Sequence, residues 1–338
     1  MKHIFYVHSY VTYLVTLGIV EHKKISDKDV LLITARGGVN QSRFSSIDVN
    51  QRFPKLFGIP CYGTKLFYIK NHSIISSFDK SILRFCENDS FACYIPSDGH
   101  YLQQLLSTHS KCRRVYFMEE GLFSYNDEYR KKSWPFAGFK GVILRFLNTG
   151  NRNHHPSSIV DTAILFTLFN VESYEGPIKK ICVMPDVSKI EYTGIRLKDS
   201  SILMMNAFKD ASPVVIDKLL SIIEYFAVEK KRKNETIYIK HHPYSDLELQ
   251  EKVEHIFRDN GVPYRVLDNK LNTELMLFHS ENLSIYGFFS AAMLYGALMG
   301  HKAISFTRIF ESSSSECASY LQNNFHIPSV FIKNSTMY

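Results

Sequence analysis

Thr236-Ile237-Tyr238-Ile239-Lys240-His241-His242-Pro243 is a short run of β-branched and aromatic residues that stops on a cation, two imidazoles and a proline. The first five residues have the length and composition of a buried strand. Pro243 lacks an N–H and cannot continue a ladder, so the strand ends in a stiff turn that carries the polar groups. On either side the period changes. Pro213–Val228 reads as a helix with proline in its first turn, and Leu247–Asp259 reads as another. Helix, strand, turn and helix in succession are the parts of a parallel sheet with crossover connections.

The same alternation runs through the chain. In the first half, strands are expected at Ile4–Val7, Val30–Thr34, Leu66–Ile69, Phe91–Ile95, Val115–Met118 and Ala163–Leu168. In the second half they are expected at Ile202–Met205, Thr236–Lys240, Tyr264–Leu267, Leu283–Tyr286 and Ala303–Phe306, with further helices at Thr273–Phe278 and Ser290–Met299. A chain of 338 residues exceeds one ordinary core and suits two domains of roughly 150 to 180 residues each. Glu175-Gly176-Pro177 breaks the pattern, and Pro185 to Ser201 is polar and aperiodic. The expected fold is therefore α/β, with two Rossmann-like domains, 1–185 and 186–338, facing across a cleft.

Composition narrows the class. Hydrophobic residues make up 45% and charged residues 22%, a globular balance. The formal charge of +7 suits an anionic partner: a nucleotide-sugar, an acidic glycolipid, a membrane face or nucleic acid. Dispersed cations without a recognisable nucleic-acid motif argue against the last. Six cysteines without a C-x-x-C pair argue against a zinc site or a disulfide framework and for a reducing, cytoplasmic location. Ile4 to Val20 imitates a signal peptide, but polar residues interrupt it and it is shorter than the ~20 apolar residues of a spanning helix. It reads instead as a strand Lys2–Val7, a turn at His8-Ser9 and a helix to about His22.

Three strand ends carry chemistry, each where open α/β sheets bind ligands. Val115–Met118 runs into Glu119-Glu120-Gly121, where a desolvated carboxylate suits a general base and a solvated turn is the plain alternative. Lys240-His241-His242-Pro243 presents an imidazole fit to contact a leaving phosphate. Leu283 to Tyr286 is followed by Gly287 and then Ser290, where a serine at a helix N-terminus makes an anion site or a simple cap.

The order and spacing of these segments resemble the bacterial sialyltransferases of GT-B fold, whose motifs are D/E-D/E-G, H-P and a paired S-S or S-T. Here they read Glu119-Glu120-Gly121, His242-Pro243 and Ser290-Ala291. The resemblance spans about Val115 to Phe306. It implies a metal-independent, inverting transfer of sialic acid from CMP-sialic acid to a sugar hydroxyl, with no cofactor. Glu120 would be the general base, His242 the general acid or leaving-phosphate contact, and Ser290 a phosphate ligand. Lys240, Pro243, Gly287 and Glu274 would complete the donor side, Glu274 as a ribose contact; Glu119, Gly121 and Arg36 would lie on the acceptor side. Ala291 departs from the pattern by removing one hydroxyl. The expected acceptor is a glycan or lipid-linked glycan, at the family level a galactose of a lipopolysaccharide, O-antigen or capsule.

Other features rank lower. Asp27-Lys28-Asp29 matches a metal-binding D-x-D but precedes a strand, and His154-His155-Pro156 lies in a polar stretch. Arg130-Lys131-Lys132 with Trp134, Phe136 and Phe139 suits peripheral contact with the inner membrane or packing into the first domain. The competing readings are a CDP-glycerol or polyol-phosphate transferase, a GT-B enzyme for another nucleotide-sugar, and a non-catalytic nucleotide- or glycan-binding relative.

Overall fold

The computed structural model describes residues 1–35, 42–56, 67–97, 100–125, 164–170, 179–325 and 327–338. They form two compact units, Met1–Asp186 and Val187–Tyr338.

The first unit carries seven strands: β1 (Lys2–Val7), β2 (Val30–Thr34), β3 (Ser45–Asp48), β4 (Phe91–Ile95), β5 (Cys112–Met118), β6 (Ile164–Thr167) and β7 (Lys179–Cys182). Its helices are α1 (Tyr10–His22), α2 (Val49–Arg52), α3 (Phe67–Cys86) and α4 (Tyr101–Ser107). All pairings are parallel, in the order β3-β2-β1-β4-β5-β6-β7. Central strands β2 and β4 are buried at every position because helices cover both faces, so they read as continuous apolar runs.

Helix α1 explains the apolar N-terminus. Val11 to Val20 are all buried, and α1 lies against β1, β5 and β6. The stretch is hydrophobic all round because it is enclosed all round. Its start is set by Ser9, which accepts the N–H of Thr12 at 3.3 Å while Thr12 Oγ1 accepts the N–H of Ser9 at 3.1 Å. The reciprocal bonds satisfy groups that the helix leaves open.

Two expectations for this unit need correction. Leu66–Ile69 is not a strand: Phe67 onward belongs to α3, and Leu66 lies outside the described residues. The downstream spacing of Ile75, Phe78, Ile82 and Cys86, all buried, is helical and decides the segment. Edge strands β3 and β7 were not anticipated, since their sequences, SSID and KKIC, are polar and their pairing comes from the neighbouring strand. Arg36, His154–Pro156, Glu175–Pro177 and the Arg130–Phe139 cluster lie outside the described residues.

The second unit carries β8 (Ser201–Met204), β9 (Ile237–Lys240), β10 (Tyr264–Val266), β11 (Ser284–Gly287), β12 (Lys302–Ser305) and β13 (Thr336–Met337). Its helices are α5 (Pro213–Arg232), α6 (Leu247–Asp259), α7 (Thr273–Phe278), α8 (Ala291–Leu298), α9 (Thr307–Ser313), α10 (Ser315–Asn324) and α11 (Ser329–Asn334). The parallel order is β10-β9-β8-β11-β12-β13. Leu219, Ile223, Phe226, Ile237, Ile239, Val253 and Phe257 form much of one core layer beneath α5 and α6. The polar segment after Pro185 is not loose: Leu197 is buried, and the Tyr192 ring stacks on His279 at 4.8 Å and 3°.

In each unit the first strand is central, and the order reverses beside it. The chain moves from β1 out to β3 and returns to β4 on the other flank; it moves from β8 out to β10 and returns to β11. The connections therefore diverge at β1/β4 and β8/β11, which opens a crevice at the carboxyl ends there.

Gly18 tests the α1 packing. A Cβ on Gly18 would lie 1.6 Å from the Val183 carbonyl oxygen, so alanine forces the helix off the sheet. Helix propensity favours alanine by about 1 kcal/mol, whereas overpacking costs roughly 1–3 kcal/mol. Contact with rigid backbone puts Gly18→Ala at the upper end of that range. Thermal unfolding is expected at a lower temperature in this variant; equal or greater stability would contradict the packing.

Candidate active site

In the first unit, the acidic turn follows β5, and its two carboxylates have separate jobs. Glu119 is fully buried. One carboxylate oxygen accepts the Tyr125 hydroxyl at 2.8 Å, and the other accepts the Leu168 N–H at 2.8 Å. Its backbone N–H also donates to Phe166 O at 2.9 Å. Glu119 thus ties the ends of β5 and β6 together and supports the turn. Lys180 lies over the Tyr125 ring at 5.2 Å, behind the same cluster.

Glu120 has a different environment. Its N–H donates to Ser124 Oγ at 2.9 Å, and its side chain remains partly exposed. Glu120 Oε2 lies 3.8 Å from His8 Nε2. His8 directly follows β1, so the end of the central strand meets the end of β5. Gly121 sits at φ +135°, a conformation that disfavours any side chain, so the turn specifies glycine there. Sequence reading saw His8 only as a turn; its place after the first strand, at the switch point, is the signal that singles it out.

In the second unit, the two adjacent histidines diverge. His241 is buried, with Nε2 3.3 Å from Glu254 on α6; burial lowers its pKa, and Glu254 draws it partly back. His242 faces outward and is half-buried. Its Nδ1 accepts the N–H of Tyr244 at 3.2 Å, so the proton of the neutral ring sits on Nε2. Burial and then the Lys240 charge hold His242 below the ordinary imidazole range. All three effects favour a neutral ring that presents Nε2–H. Pro243 is exposed at the corner of this turn.

Lys240, at the end of β9, is 7% exposed, and its Nζ donates to the Asp268 carbonyl at 3.1 Å. Burial lowers its pKa, opposed by Asp268 and Glu274. Burial raises the Glu274 carboxyl; its own backbone N–H and Lys240 oppose that rise. Glu274 stands in the first turn of α7, which Asn272 caps by accepting the Leu275 N–H at 3.2 Å.

Ser290 is the N-cap of α8, and its Oγ accepts the Met293 N–H at 3.2 Å. The cap uses a lone pair and leaves the O–H available as a donor. Among the described residues, the N–H groups of Ser290, Ala291 and Ala292 meet no acceptor. Open N–H donors and a hydroxyl at a helix start are the parts from which anion sites are built. Gly287 lets the loop pass close to β8: a Cβ there would lie 2.5 Å from Met204 O and 2.9 Å from Met293 Sδ.

Asp27 and Asp29 are occupied elsewhere. They lie at the amino end of β2, paired with Arg43 at 3.2 Å and Lys2 at 2.8 Å. No group of three metal-ligating side chains occurs among the described residues, and none of their helices is long and apolar enough to cross a membrane.

The sequence profile described as alpha-2,8-polysialyltransferase (POLYST) matches residues 4–307. The chain belongs to the alpha-2,8-polysialyltransferase family. Comparison with curated protein sequences finds no match. Among solved structures, the UDP-GlcNAc 2-epimerase of Methanocaldococcus jannaschii shares 12% identity over 99% of this chain and 91% of its own, with a TM-score of 0.50. The same enzyme in complex with UDP-GlcNAc and UDP gives 11% identity, 97% and 95% coverage and a TM-score of 0.47. The S. aureus MnaA–UDP co-structure gives 9%, 99% and 92%, and 0.48. With two parallel Rossmann-like sheets, this polysialyltransferase-family chain has the GT-B fold and is a glycosyltransferase.

Glu119→Gln tests the support of the acidic turn. An amide can keep its oxygen on the Leu168 N–H only by turning its NH₂ to the Tyr125 oxygen, so the Tyr125 proton loses its carboxylate acceptor and both charge-assisted bonds become neutral ones. A loss of roughly 1–3 kcal/mol in unfolding free energy is expected. Unchanged denaturant unfolding would remove Glu119 from this role.

Proposed function

We propose that this protein transfers sialic acid from CMP-sialic acid to a sugar hydroxyl, with the α-2,8-linked sialic acid of its family's name as the favoured acceptor. The observation that carries the reading is the pairing of two donor groups around β8. The neutral His242 Nε2–H follows β9, and the Ser290 hydroxyl with its open helix N–H groups follows β11.

In this mechanism Glu120 takes the proton of the acceptor hydroxyl, and the oxygen attacks the anomeric carbon of the donor sugar. The bond from that carbon to the phosphate oxygen breaks, and CMP leaves with the electron pair. Attack opposite the leaving group inverts the anomeric centre. The phosphate gathers negative charge, which His242 Nε2–H, Ser290 and the start of α8 meet with donors fixed in advance. Lys240 and Glu274 complete the nucleotide side. His242 serves as a hydrogen-bond donor rather than an imidazolium acid, because Tyr244, burial and Lys240 all oppose a second ring proton.

Glu120→Gln and His242→Ala are each expected to lower turnover about a hundredfold or more. The assay measures sugar transfer from CMP-sialic acid alongside CDP-glycerol and UDP-sugars. Preference for another donor would overturn the reading, as would full activity of both variants. Transfer is expected to persist in EDTA, and an absolute Mn²⁺ or Mg²⁺ requirement would contradict the metal-free scheme.

The pH profile separates the two roles of His242. An imidazolium acid with a lowered pKa would lose its proton below about pH 6.5, so activity would already be falling at neutrality. A neutral Nε2–H donor stays intact as pH rises, and kcat is expected to hold to pH 8. An alkaline decline that starts below neutrality and disappears in His242→Ala would favour the acid.

A further inference from the structure

The phosphate loop and the His-Pro turn are joined by a side chain that belongs to neither. Asn206 follows β8 and is 9% exposed. Its Nδ2 donates to the Phe289 carbonyl, and its Oδ1 accepts the Phe289 N–H at 3.4 Å. One amide thus satisfies both backbone groups of the residue before Ser290. The Asn206 carbonyl accepts Ser245 Oγ at 3.2 Å, and the Ser245 N–H donates to the His242 carbonyl at 2.9 Å. A continuous chain of hydrogen bonds therefore runs from the start of α8, through Asn206, to His242.

The far side of the same loop is also held. Phe288 O accepts the hydroxyls of Ser305 and Thr307, and the Phe306 N–H donates to Gly287 O at 2.7 Å. Those bonds fix the loop to β12. Among the described residues, Asn206 bonds to both the loop and the turn after β9, because β8 lies between β9 and β11.

We propose that Asn206 is a positioning residue of the donor site, setting the Ser290 helix start and the His242 turn in one frame. The inference rests on reading these groups as ligands of the CMP phosphate. Rotation of the Phe289 peptide would swing the open N–H groups of Ser290 and Ala291 and turn the Ser290 hydroxyl with them. Donors that reorganise during bond breaking stabilise charge less well than fixed ones. Loss of one hydrogen bond of ordinary net strength corresponds to roughly a threefold to tenfold effect on binding, and a larger effect falls on the charge-developing step.

The test uses the full chain with CMP as the probe. Asn206→Ala is expected to raise the CMP dissociation constant about tenfold by calorimetry, and to lower kcat with CMP-sialic acid by a larger factor than it raises KM. Ser245→Ala, which removes only the arm to the turn, is expected to lower kcat about threefold with CMP affinity less changed. The double variant Asn206→Ala/Ser290→Ala should bind CMP no more weakly than the poorer single variant, since both act on one loop. A purely structural asparagine would lower the unfolding temperature without this coupling.

CMP binding by Asn206→Ala equal to that of the unmodified chain, or fully additive losses, would overturn the proposal. Hydrogen exchange judges the clamp independently of ligand: the Phe289 amide is expected to lose protection in Asn206→Ala, and retained protection counts against it. An unmodified chain that fails to bind CMP sinks the donor reading, while the exchange result still decides the clamp. Should Asn206→Ala not fold, Asn206→Asp, which keeps the shape but sets an oxygen against Phe289 O, and Ser245→Ala carry the same comparison.

Discussion

Parallel pairing on both flanks of one central strand is the constraint from which the rest of each unit follows. β1 and β8 are paired on both edges, and their carboxyl ends are the places where the chain parts in two directions. A parallel sheet exposes every strand end on the same rim. Polar groups that follow those strands therefore gather along that rim without needing proximity in sequence. His8 and Glu120 meet in this way in one unit, and Asn206, His242 and Phe289 are joined in this way in the other.

Burial then sorts neighbouring residues of the same type into different roles. Glu119 and Glu120 are adjacent, yet strand alternation sends one inward to two donors and leaves the other partly solvated beside His8. His241 and His242 divide likewise, one against Glu254 within the unit and one facing outward with its tautomer fixed by Tyr244. The buried member of each pair anchors the turn that presents its neighbour. Lys240 extends the logic: a cation with little exposure, bonded to a backbone carbonyl, biases His242 toward neutrality without touching its ring proton.

The central strands were legible because buried parallel strands are uninterrupted apolar runs, as in Val30–Thr34 and Phe91–Ile95. The motifs stood out because each joins such a run to a turn former. Polar edge strands β3, β7 and β13 left no comparable mark, since their structure is borrowed from the partner strand. Leu66–Ile69 misled because four apolar residues fit either period, and the deciding residues, Ile75, Phe78 and Ile82, come later. Asn206 sits in Met205-Asn206-Ala207, which has no pattern of its own. Its importance comes from strand order, a long-range property that local periodicity does not encode.

The enclosure of α1 has a consequence for how the protein is made. β1 and α1 leave the ribosome before the surfaces that bury α1, namely β5, β6 and Val183, which are synthesised much later. Throughout that interval an apolar segment is without its shelter, much as a nascent export signal would be. Until β5 and β6 are made, this segment exposes apolar surface of the kind that makes incomplete chains prone to aggregate.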